Sequence, residues 1–217
     1  MDPISRSPKV CNMNCIYCRL GSGGIVLLER ADFIDEASII EQMGECMHRE
    51  ECEAVIFKGT GEPLLARNIF DMARAIHERS EKKVALFTNG TLLSDPEVLS
   101  QLDVFDIIIV KLDAASEEMF RTVNRPHPSV DFQDVLDGIR KARKGFRGSF
   151  RVQVNLVREN LSGIEGISQI CREICPDYVY LDSPEGCDPF HAVSKKDMQA
   201  AMGRFFGIKC VSSQDKD

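Results

Sequence analysis

The chain has 217 residues, of which 43% are hydrophobic, and its 27 lysines and arginines against 34 aspartates and glutamates give a formal net charge of −7. This composition is typical of a soluble globular protein. On folding, a chain of this size buries roughly 70% of the surface that its unfolded form exposes, so it needs no disulfide bonds to form a core. No apolar run approaches the roughly 20 residues of a membrane-spanning helix, and the amino terminus lacks the apolar core of a signal peptide. We therefore predict one domain over residues 1–217, located in the cytoplasm and not associated with a membrane.

The charge and the cysteine content both bear on binding partners. An acidic chain repels phosphate backbones overall, so nucleic-acid binding is not expected unless a local basic patch supplies it. The chain has nine cysteines, an odd number that cannot all pair in disulfides within the chain. Reducing compartments keep thiols free, and thiolates are ligands of soft metals and iron–sulfur clusters. Metal ligation is therefore the favoured role for some of these cysteines.

Short apolar runs alternate with segments of helical period from about residue 53 to the end of the chain. Their nearly continuous apolar character is typical of parallel strands that are covered on both faces. The predicted strands are 54–58, 83–88, 106–112, 150–157 and 178–182. A sixth strand is expected just before Cys11.

Apolar stripes at helical spacing predict the helices between these strands. The predicted helical segments are 39–47, 69–76, 94–102, 132–145, 164–174 and 194–206. The basic run 140–144 followed by Gly145 is typical of a helix carboxyl end, with an RNA contact as the alternative. A frayed tail is expected over about residues 211–217. Strict alternation of strand and helix predicts an α/β fold, either curled into a barrel or lying open as a doubly wound sheet.

Three cysteines near the amino terminus have the spacing C-x3-C-x2-C, and they are Cys11, Cys15 and Cys18. A four-iron cluster takes four ligands, so a loop that offers three thiolates leaves one iron free for an outside ligand. A zinc knuckle completed by a distant residue and three unrelated core thiols are the alternatives. The tight spacing of a rare residue favours the [4Fe-4S] cluster, with the loop 11–18 as the metal site.

This cysteine loop, with the aromatic Tyr17 before its last cysteine, resembles that of the radical S-adenosylmethionine (radical SAM) superfamily. The segment 59–63 follows the first predicted strand, where the family carries a Gly-Gly-Glu-Pro type motif beside the methionine end of SAM. Thr60 departs from that motif, since it replaces the second glycine. The segment 87–90 closes the next strand and corresponds to a family segment beside SAM, although Asn-Gly alone is also typical of an ordinary turn.

Polar residues also end the later strands. Lys111 and Asp113 alternate with apolar neighbours, so both are expected on the inner face, within reach of SAM or substrate, and they are our candidate catalytic residues. A lysine–aspartate pair that caps the strand end is the alternative. Arg151, Gln153 and Asn155 alternate in the same way, which resembles the family's polar contacts to the SAM carboxylate and ribose. A half-exposed strand gives the same pattern.

The resemblance implies a partial (β/α)6 barrel of the TIM type and two cofactors, a [4Fe-4S] cluster and SAM. It implies an oxygen-sensitive enzyme of oxidoreductase or transferase type, which cleaves SAM to a 5′-deoxyadenosyl radical that abstracts hydrogen from a substrate. The electron would come from a low-potential donor of the ferredoxin or flavodoxin type. The cofactor-binding candidates, besides the three cysteines, are Tyr17, Gly59, Thr60, Gly61, Glu62, Thr88, Asn89, Lys111, Gln153 and Asn155.

Four further segments are similar to radical SAM proteins related to wyosine-forming enzymes, namely 15–21, 112–115, 123–128 and 176–184. This resemblance implies modification of a tRNA base, against which the acidic charge weighs. A small molecule or a peptide is the favoured substrate. Short chains of the radical SAM superfamily also resemble activases that make a glycyl radical on a partner protein, so this activity is a further alternative. A non-catalytic metal-binding scaffold would carry the same cysteine loop.

Two further features are open at this level. Cys171, Cys175 and Cys187 could hold an auxiliary cluster, although small buried cysteines are more often core residues. His127 lies between two prolines, where it could donate a proton or contact substrate. A rigid surface turn explains the same prolines.

Overall fold

A computed structural model describes residues 1–47, 53–184 and 191–212 of the chain. These residues form one six-stranded, fully parallel sheet in which each strand pairs with the next along the chain and the first and last strands remain unpaired with each other. The strands are β1 (Ala54–Phe57), β2 (Lys83–Thr88), β3 (Ile107–Lys111), β4 (Ser149–Asn155), β5 (Tyr178–Asp182) and β6 (Cys210–Ser212). This open arrangement confirms the expected α/β fold and its partial (β/α)6 barrel.

Helices connect the strands and cover one face of the sheet. They are α1 (Glu36–Met47), α2 (Ile69–His77), α3 (Pro96–Leu99), α4 (Glu117–Val123), α5 (Phe132–Gly145), α6 (Ile164–Ile174) and α7 (Lys195–Met202). Short 3-10 turns lie at Pro63–Leu65, Leu102–Val104 and Arg158–Gly163. None of the helices in the described part of the chain is long and apolar enough to cross a membrane.

Two expectations at the ends of the chain are wrong. No strand precedes Cys11, where Pro3 and Pro8 lack the amide hydrogens that a strand needs and Val10 makes only isolated bridges to Ile25 and Gly61. The sixth strand is instead β6, which pairs with β5 through Val179 to Leu181. The predicted fray at 211–217 therefore begins too early, since residues 211 and 212 are paired, and 213–217 lie outside the described residues.

The two faces of the sheet differ in a way that places the site. On β4, Phe150, Val152 and Val154 are fully buried under the helices, while Arg151 and Gln153 are half-buried on the opposite face. The same alternation holds on β3, where Ile108 and Val110 are buried and Lys111 faces the other way. The inner face of the open barrel therefore carries polar side chains at the carboxyl ends of its central strands.

Candidate active site

The cysteine loop is attached to the sheet through the segment that follows β1. Val10 N donates to Thr60 O at 2.9 Å, and Glu62 N donates to Val10 O at 3.0 Å. Gly61 makes this contact possible, because a Cβ atom at that position would lie 1.7 Å from Val10 O. The glycine therefore permits the close backbone approach that brings Cys11 to the carboxyl edge of the sheet.

Thr60, the departure from the family motif, faces away from this edge. Its Oγ1 accepts from Arg6 N at 2.9 Å, and its own amide donates to Asp2 Oδ2 at 3.0 Å. A Cβ atom on Gly59 would collide with the same Asp2 side chain, at 2.1 Å from Cγ. Gly59 and Thr60 therefore contact the amino-terminal segment of the chain, and they do not line the cavity described next.

An open cavity of about 300 Å³ lies at the carboxyl ends of β1 to β5. It brings together most of the predicted site residues, namely Cys11, Cys15, Tyr17, Cys18, Gly61, Glu62, Asn89, Lys111, Gln153 and Asn155. Five more residues line it that lie within the motif segments but are not among the predicted site residues, namely Arg19, Pro63, Phe87, Asp182 and Pro184. Thr88 and Asp113 do not line this cavity; both are buried directly behind it.

Glu62 is a buried carboxyl group that organises the ends of two strands. Its Oε1 accepts from Thr88 Oγ1 at 2.6 Å and from Leu64 N at 3.1 Å, and its Oε2 accepts from Asn89 N at 2.7 Å. Burial raises the pKa of this carboxyl to about 7, and the three hydrogen bonds partly oppose the rise. Both oxygens are thus used to hold the segment after β2 against the segment after β1.

Asn89 connects that segment to the cysteine loop. Its Nδ2 donates to Asn12 Oδ1 at 2.8 Å and lies 3.7 Å from Cys11 Sγ, while its Oδ1 accepts from Thr91 Oγ1 at 2.7 Å. Asn12 Nδ2 also donates to Thr91 Oγ1 at 2.7 Å, so the side chains of Asn12, Asn89 and Thr91 are all hydrogen-bonded to one another. The side chain of Asn89 is therefore held in one orientation beside the first cysteine.

Lys111 and Asp113 form the lysine–aspartate pair at the end of β3. Lys111 Nζ lies 3.0 Å from Asp113 Oδ1, with the lysine side chain 10% exposed and the aspartate side chain fully buried. Tyr17 Oη donates to Asp113 Oδ2, and Lys111 Nζ lies 5.1 Å from the centre of the Tyr17 ring. Lys111 Nζ makes no hydrogen bond of good geometry to any described residue, and its side chain lines the cavity.

The inner faces of β4 and β5 supply the remaining polar wall. Gln153 Nε2 donates to Asp182 Oδ2 at 3.3 Å, and Asn155 is opposite Asp182 in the strand register. Asp182 was missed as a site residue, although Tyr178, Tyr180 and Asp182 alternate on β5 as the polar residues do on β4. Arg151 lies further from the carboxyl edge, where its Nη1 donates to Tyr180 Oη at 3.0 Å, outside the cavity lining.

The three thiols suit a cluster in their chemistry and their placement. Burial raises the pKa of Cys11 to about 12 and also raises that of Cys15, so both are neutral thiols at pH 7 unless a bound cation deprotonates them. Among the described residues, no three Cys, His, Asp or Glu side chains surround one point where a single ion could bind. A four-iron cluster needs no such point, because each thiolate binds a different iron. The donor set therefore fits the group, with the cavity open beside it.

The roles of two further features remain predictions. Cys171 is buried within α6 and Cys175 is exposed just beyond it, while Cys187 lies outside the described residues. His127 Nδ1 is 2.7 Å from Ser129 Oγ, and the His127 amide donates to Asn12 O at 2.9 Å. The His127 ring thus takes part in a local turn, while its backbone reaches the cysteine loop.

An open parallel α/β barrel with a three-cysteine loop and a polar cavity at its carboxyl edge is the arrangement that the resemblance to iron–sulfur proteins acting on SAM implies. The model of the radical SAM superfamily matches residues 7–168. The chain therefore belongs to the radical SAM superfamily, whose members use a [4Fe-4S] cluster and SAM.

Curated relatives are similar over most of this chain. A GTPase Obg of Brachyspira hyodysenteriae is 29% identical, covering 80% of this chain and 26% of the relative. A UPF0026 protein of Synechocystis sp. is 31% identical, with 73% of this chain and 59% of the relative covered. A "Probable GTP 3′,8-cyclase" of Saccharolobus islandicus is 27% identical, with 85% and 53% covered. The chain thus spans between about a quarter and three fifths of these relatives.

Solved structures share the fold. Native anSMEcpe with bound AdoMet and Cp18Cys peptide matches with a TM-score of 0.68 at 17% identity, covering 94% of this chain and 57% of that protein. A radical SAM methyltransferase from Sphaerobacter thermophilus matches with a TM-score of 0.69 at 14% identity, covering 94% and 64%. At these identities the likeness concerns the architecture alone.

Proposed function

We propose that this chain is a radical SAM enzyme that abstracts hydrogen from a small molecule or a peptide. When bound, the [4Fe-4S] cluster supplies the electron that cleaves SAM to methionine and a 5′-deoxyadenosyl radical. The observation that carries the proposal is that Cys11, Cys15 and Cys18 line one cavity with the polar ends of β3 to β5. Superfamily membership supports the same function.

The chain's own residues fall into two groups in this proposal. Cys11, Cys15 and Cys18 would hold a [4Fe-4S] cluster through three of its irons, and the fourth iron would be left for an outside ligand such as SAM. Glu62 fixes the loop end where the SAM amino group binds, with the Gly61 backbone beside it. In this proposal the cavity, and not the outer surface, is where SAM is bound and oriented.

The other wall of the cavity would bind the acidic and ribose groups of SAM. Lys111 Nζ is buried beside Asp113 Oδ1, and it makes no hydrogen bond of good geometry to any described residue, so it can donate to the SAM carboxylate as well as pair with Asp113. Gln153 and Asn155 present amide groups to the same cavity and suit ribose hydroxyls. Asp113, buried and bonded by Tyr17 Oη, acts in this proposal by holding Lys111 in place.

Two observations favour a small molecule or a peptide as the substrate over RNA. The "Probable GTP 3′,8-cyclase" relative is named for a small-molecule substrate, which favours that class over a macromolecule. The net charge of −7 opposes contact with RNA, so modification of a tRNA base, implied by the resemblance to wyosine-forming enzymes, stays a prediction. A low-potential ferredoxin or flavodoxin is the proposed electron donor.

The test is anaerobic reconstitution with iron and sulfide, reduction with dithionite in the presence of SAM, and quantitation of 5′-deoxyadenosine. We expect product from the wild-type protein and only background from the Cys11→Ala, Cys15→Ala, Cys18→Ala triple variant. Cys175→Ala is the matched control, because Cys175 is an exposed thiol beyond α6, and it should keep the wild-type yield. A well-formed wild-type cluster that releases no 5′-deoxyadenosine would favour the non-catalytic scaffold.

A further inference from the structure

The segment 123–127, which begins at the last residue of α4, runs antiparallel along the cysteine loop. Ile16 N donates to Val123 O at 2.9 Å, Asn14 N donates to Arg125 O at 3.0 Å, and His127 N donates to Asn12 O at 2.9 Å. Met13 and Pro126 form an antiparallel bridge within the same contact. The backbone between Cys11 and Cys18 is thus paired along its middle with one short segment, which we call the clamp (residues 123–127).

The conformation of the clamp turns one side chain inward. Arg125 has φ of 45°, in the left-handed region that residues with a Cβ rarely adopt. This turn lies between Asn124, which is 4% exposed, and Pro126, which is also buried. Residues held in such conformations collect at functional sites, where the surrounding contacts stabilise them.

The inward side chain is Asn124, and its amide nitrogen reaches the second cysteine. Asn124 Nδ2 lies 3.6 Å from Cys15 Sγ, 2.9 Å from Asp113 Oδ2 and 3.3 Å from Tyr17 Oη. Asp113 is fixed in turn, because its Oδ1 accepts from Asn155 N at 2.7 Å. The position of the Asn124 amide relative to the cysteine sulfur is therefore set by β3, β4 and the clamp together.

We propose that Asn124 is a positioning residue that donates an N–H hydrogen bond to the Cys15 sulfur and thereby sets the reduction potential of the cluster. The proposal rests on the proposed function, because it assumes that Cys15 ligates iron. Hydrogen bonds to cluster sulfurs are one of the protein's means of tuning the potential. Reduction adds negative charge to the cluster and its thiolates, so a donor at Cys15 stabilises the reduced state and raises the potential.

The experiment is an anaerobic redox titration of the reconstituted cluster, followed by electron paramagnetic resonance, in wild-type protein and in Asn124→Leu. Leucine is similar in size to asparagine and has no donor. We expect a lower midpoint potential in the variant, with the ratio of reduced to oxidised cluster at a fixed potential falling about tenfold, which is 59 mV for one electron. An unchanged potential in a variant that holds its cluster would overturn the proposal.

The matched control is Asn160→Leu. Asn160 is a fully buried asparagine in the same network, where its Nδ2 donates to Asp113 O at 3.0 Å and to Asn155 O at 2.9 Å without touching a cysteine sulfur. A purely structural effect would move the potential in both variants, and that result would also overturn the proposal. Asn124→Gln keeps an amide donor and should restore part of the shift.

A measurement on the wild-type protein does not depend on how the variants fold. Exchange into D2O should shift the iron–thiolate stretching bands in the resonance Raman spectrum, because the proposed donor carries an exchangeable proton, as do Met13 N and Asn89 Nδ2 beside Cys11. A shift is therefore required by the proposal, and the comparison of Asn124→Leu with Asn160→Leu assigns it to Asn124. Bands that do not move would overturn the proposal even if 5′-deoxyadenosine is produced. If no cluster forms in the wild-type protein, it is the proposed function that fails, and the two failures are thus distinguished.

Discussion

At the scale of single residues, Glu62 should make the stability of the metal-free protein depend on pH. Burial raises the pKa of this carboxyl to about 7, against 4.5 for the ordinary group. Between these two values the unfolded chain loses the proton and the folded chain keeps it, so stability falls as pH rises from about 4.5 to about 7. A shift of this size corresponds to about 3 kcal/mol at most.

The measurement is urea unfolding at pH 5 and pH 8. We expect the wild-type protein to lose about 2–3 kcal/mol of unfolding free energy from this group over that interval, and Glu62→Gln to lack this loss. The variant is the control for all other titrations, because it changes one carboxyl alone. Equal pH dependence in both proteins would mean that Glu62 is ionised throughout.

Gly61 is a second residue whose substitution has a defined outcome. A Cβ atom there would lie 1.7 Å from Val10 O, a backbone atom that cannot move without displacing Cys11. We expect Gly61→Ala to lower the unfolding free energy by about 3 kcal/mol and to reduce iron uptake on reconstitution.

Gly145→Ala is the control for that substitution. Gly145 ends α5, and a Cβ atom there would meet nothing within 4 Å. We expect equal or slightly higher stability and normal iron uptake, since alanine favours the helix. A loss of stability in Gly145→Ala similar to that in Gly61→Ala would mean that close approach at Val10 is not the cause.

Part of the site could be predicted from the sequence because its signals are local. The cysteine spacing and the polar residues at strand ends are visible within a few positions. The bonds from Tyr17 to Asp113 and from Asn124 to Cys15 join residues 96 and 109 positions apart, and no local pattern pairs them. Glu62 was identified by its motif, whereas its bonds to Thr88 and Asn89 depend on the packing of two strands.

At the scale of elements, α4 was not predicted, and its amino terminus gives a test. The helix has seven residues, too short for an apolar stripe to repeat, and its N-cap is Ser116, whose Oγ accepts from Met119 N at 3.2 Å. We expect Ser116→Ala to cost about 1 kcal/mol of unfolding free energy. Ser22→Ala, at an exposed loop serine, should change it by less than about 0.5 kcal/mol. Equal values for the two variants would contradict a capping role.

The strands show where prediction from the apolar pattern succeeds. The bounds of β2 and β5 agree with the prediction, because both are bounded by polar or turn residues. The predicted strand at 150–157 extends too far, since residues 156 and 157 stay apolar beyond the last pair, Asn155 with Asp182. β6 was missed because three residues at a sheet edge carry no alternation and gain their pairing from β5 alone.

At the scale of the whole molecule, the cavity is lined by four strands, β2 to β5, by the segment after β1 and by the cysteine loop, so a ligand bound there bridges much of the sheet. The sequence could indicate this convergence only through the rule that loops at the carboxyl ends of parallel strands meet. The open edges at β1 and β6 leave the sheet without closure, so the ligand adds contacts between elements that the backbone does not join.

SAM should therefore raise the thermal stability of the reconstituted protein. At a concentration 100 times its dissociation constant, a ligand that binds only the folded state adds about 2.7 kcal/mol. For a domain of this size that amounts to a rise in Tm of about 5–10 °C. The measurement is anaerobic calorimetry with and without SAM, with the triple cysteine variant as the control that should shift less. An equal rise in Tm in both proteins would mean that the cluster contributes nothing to the affinity for SAM.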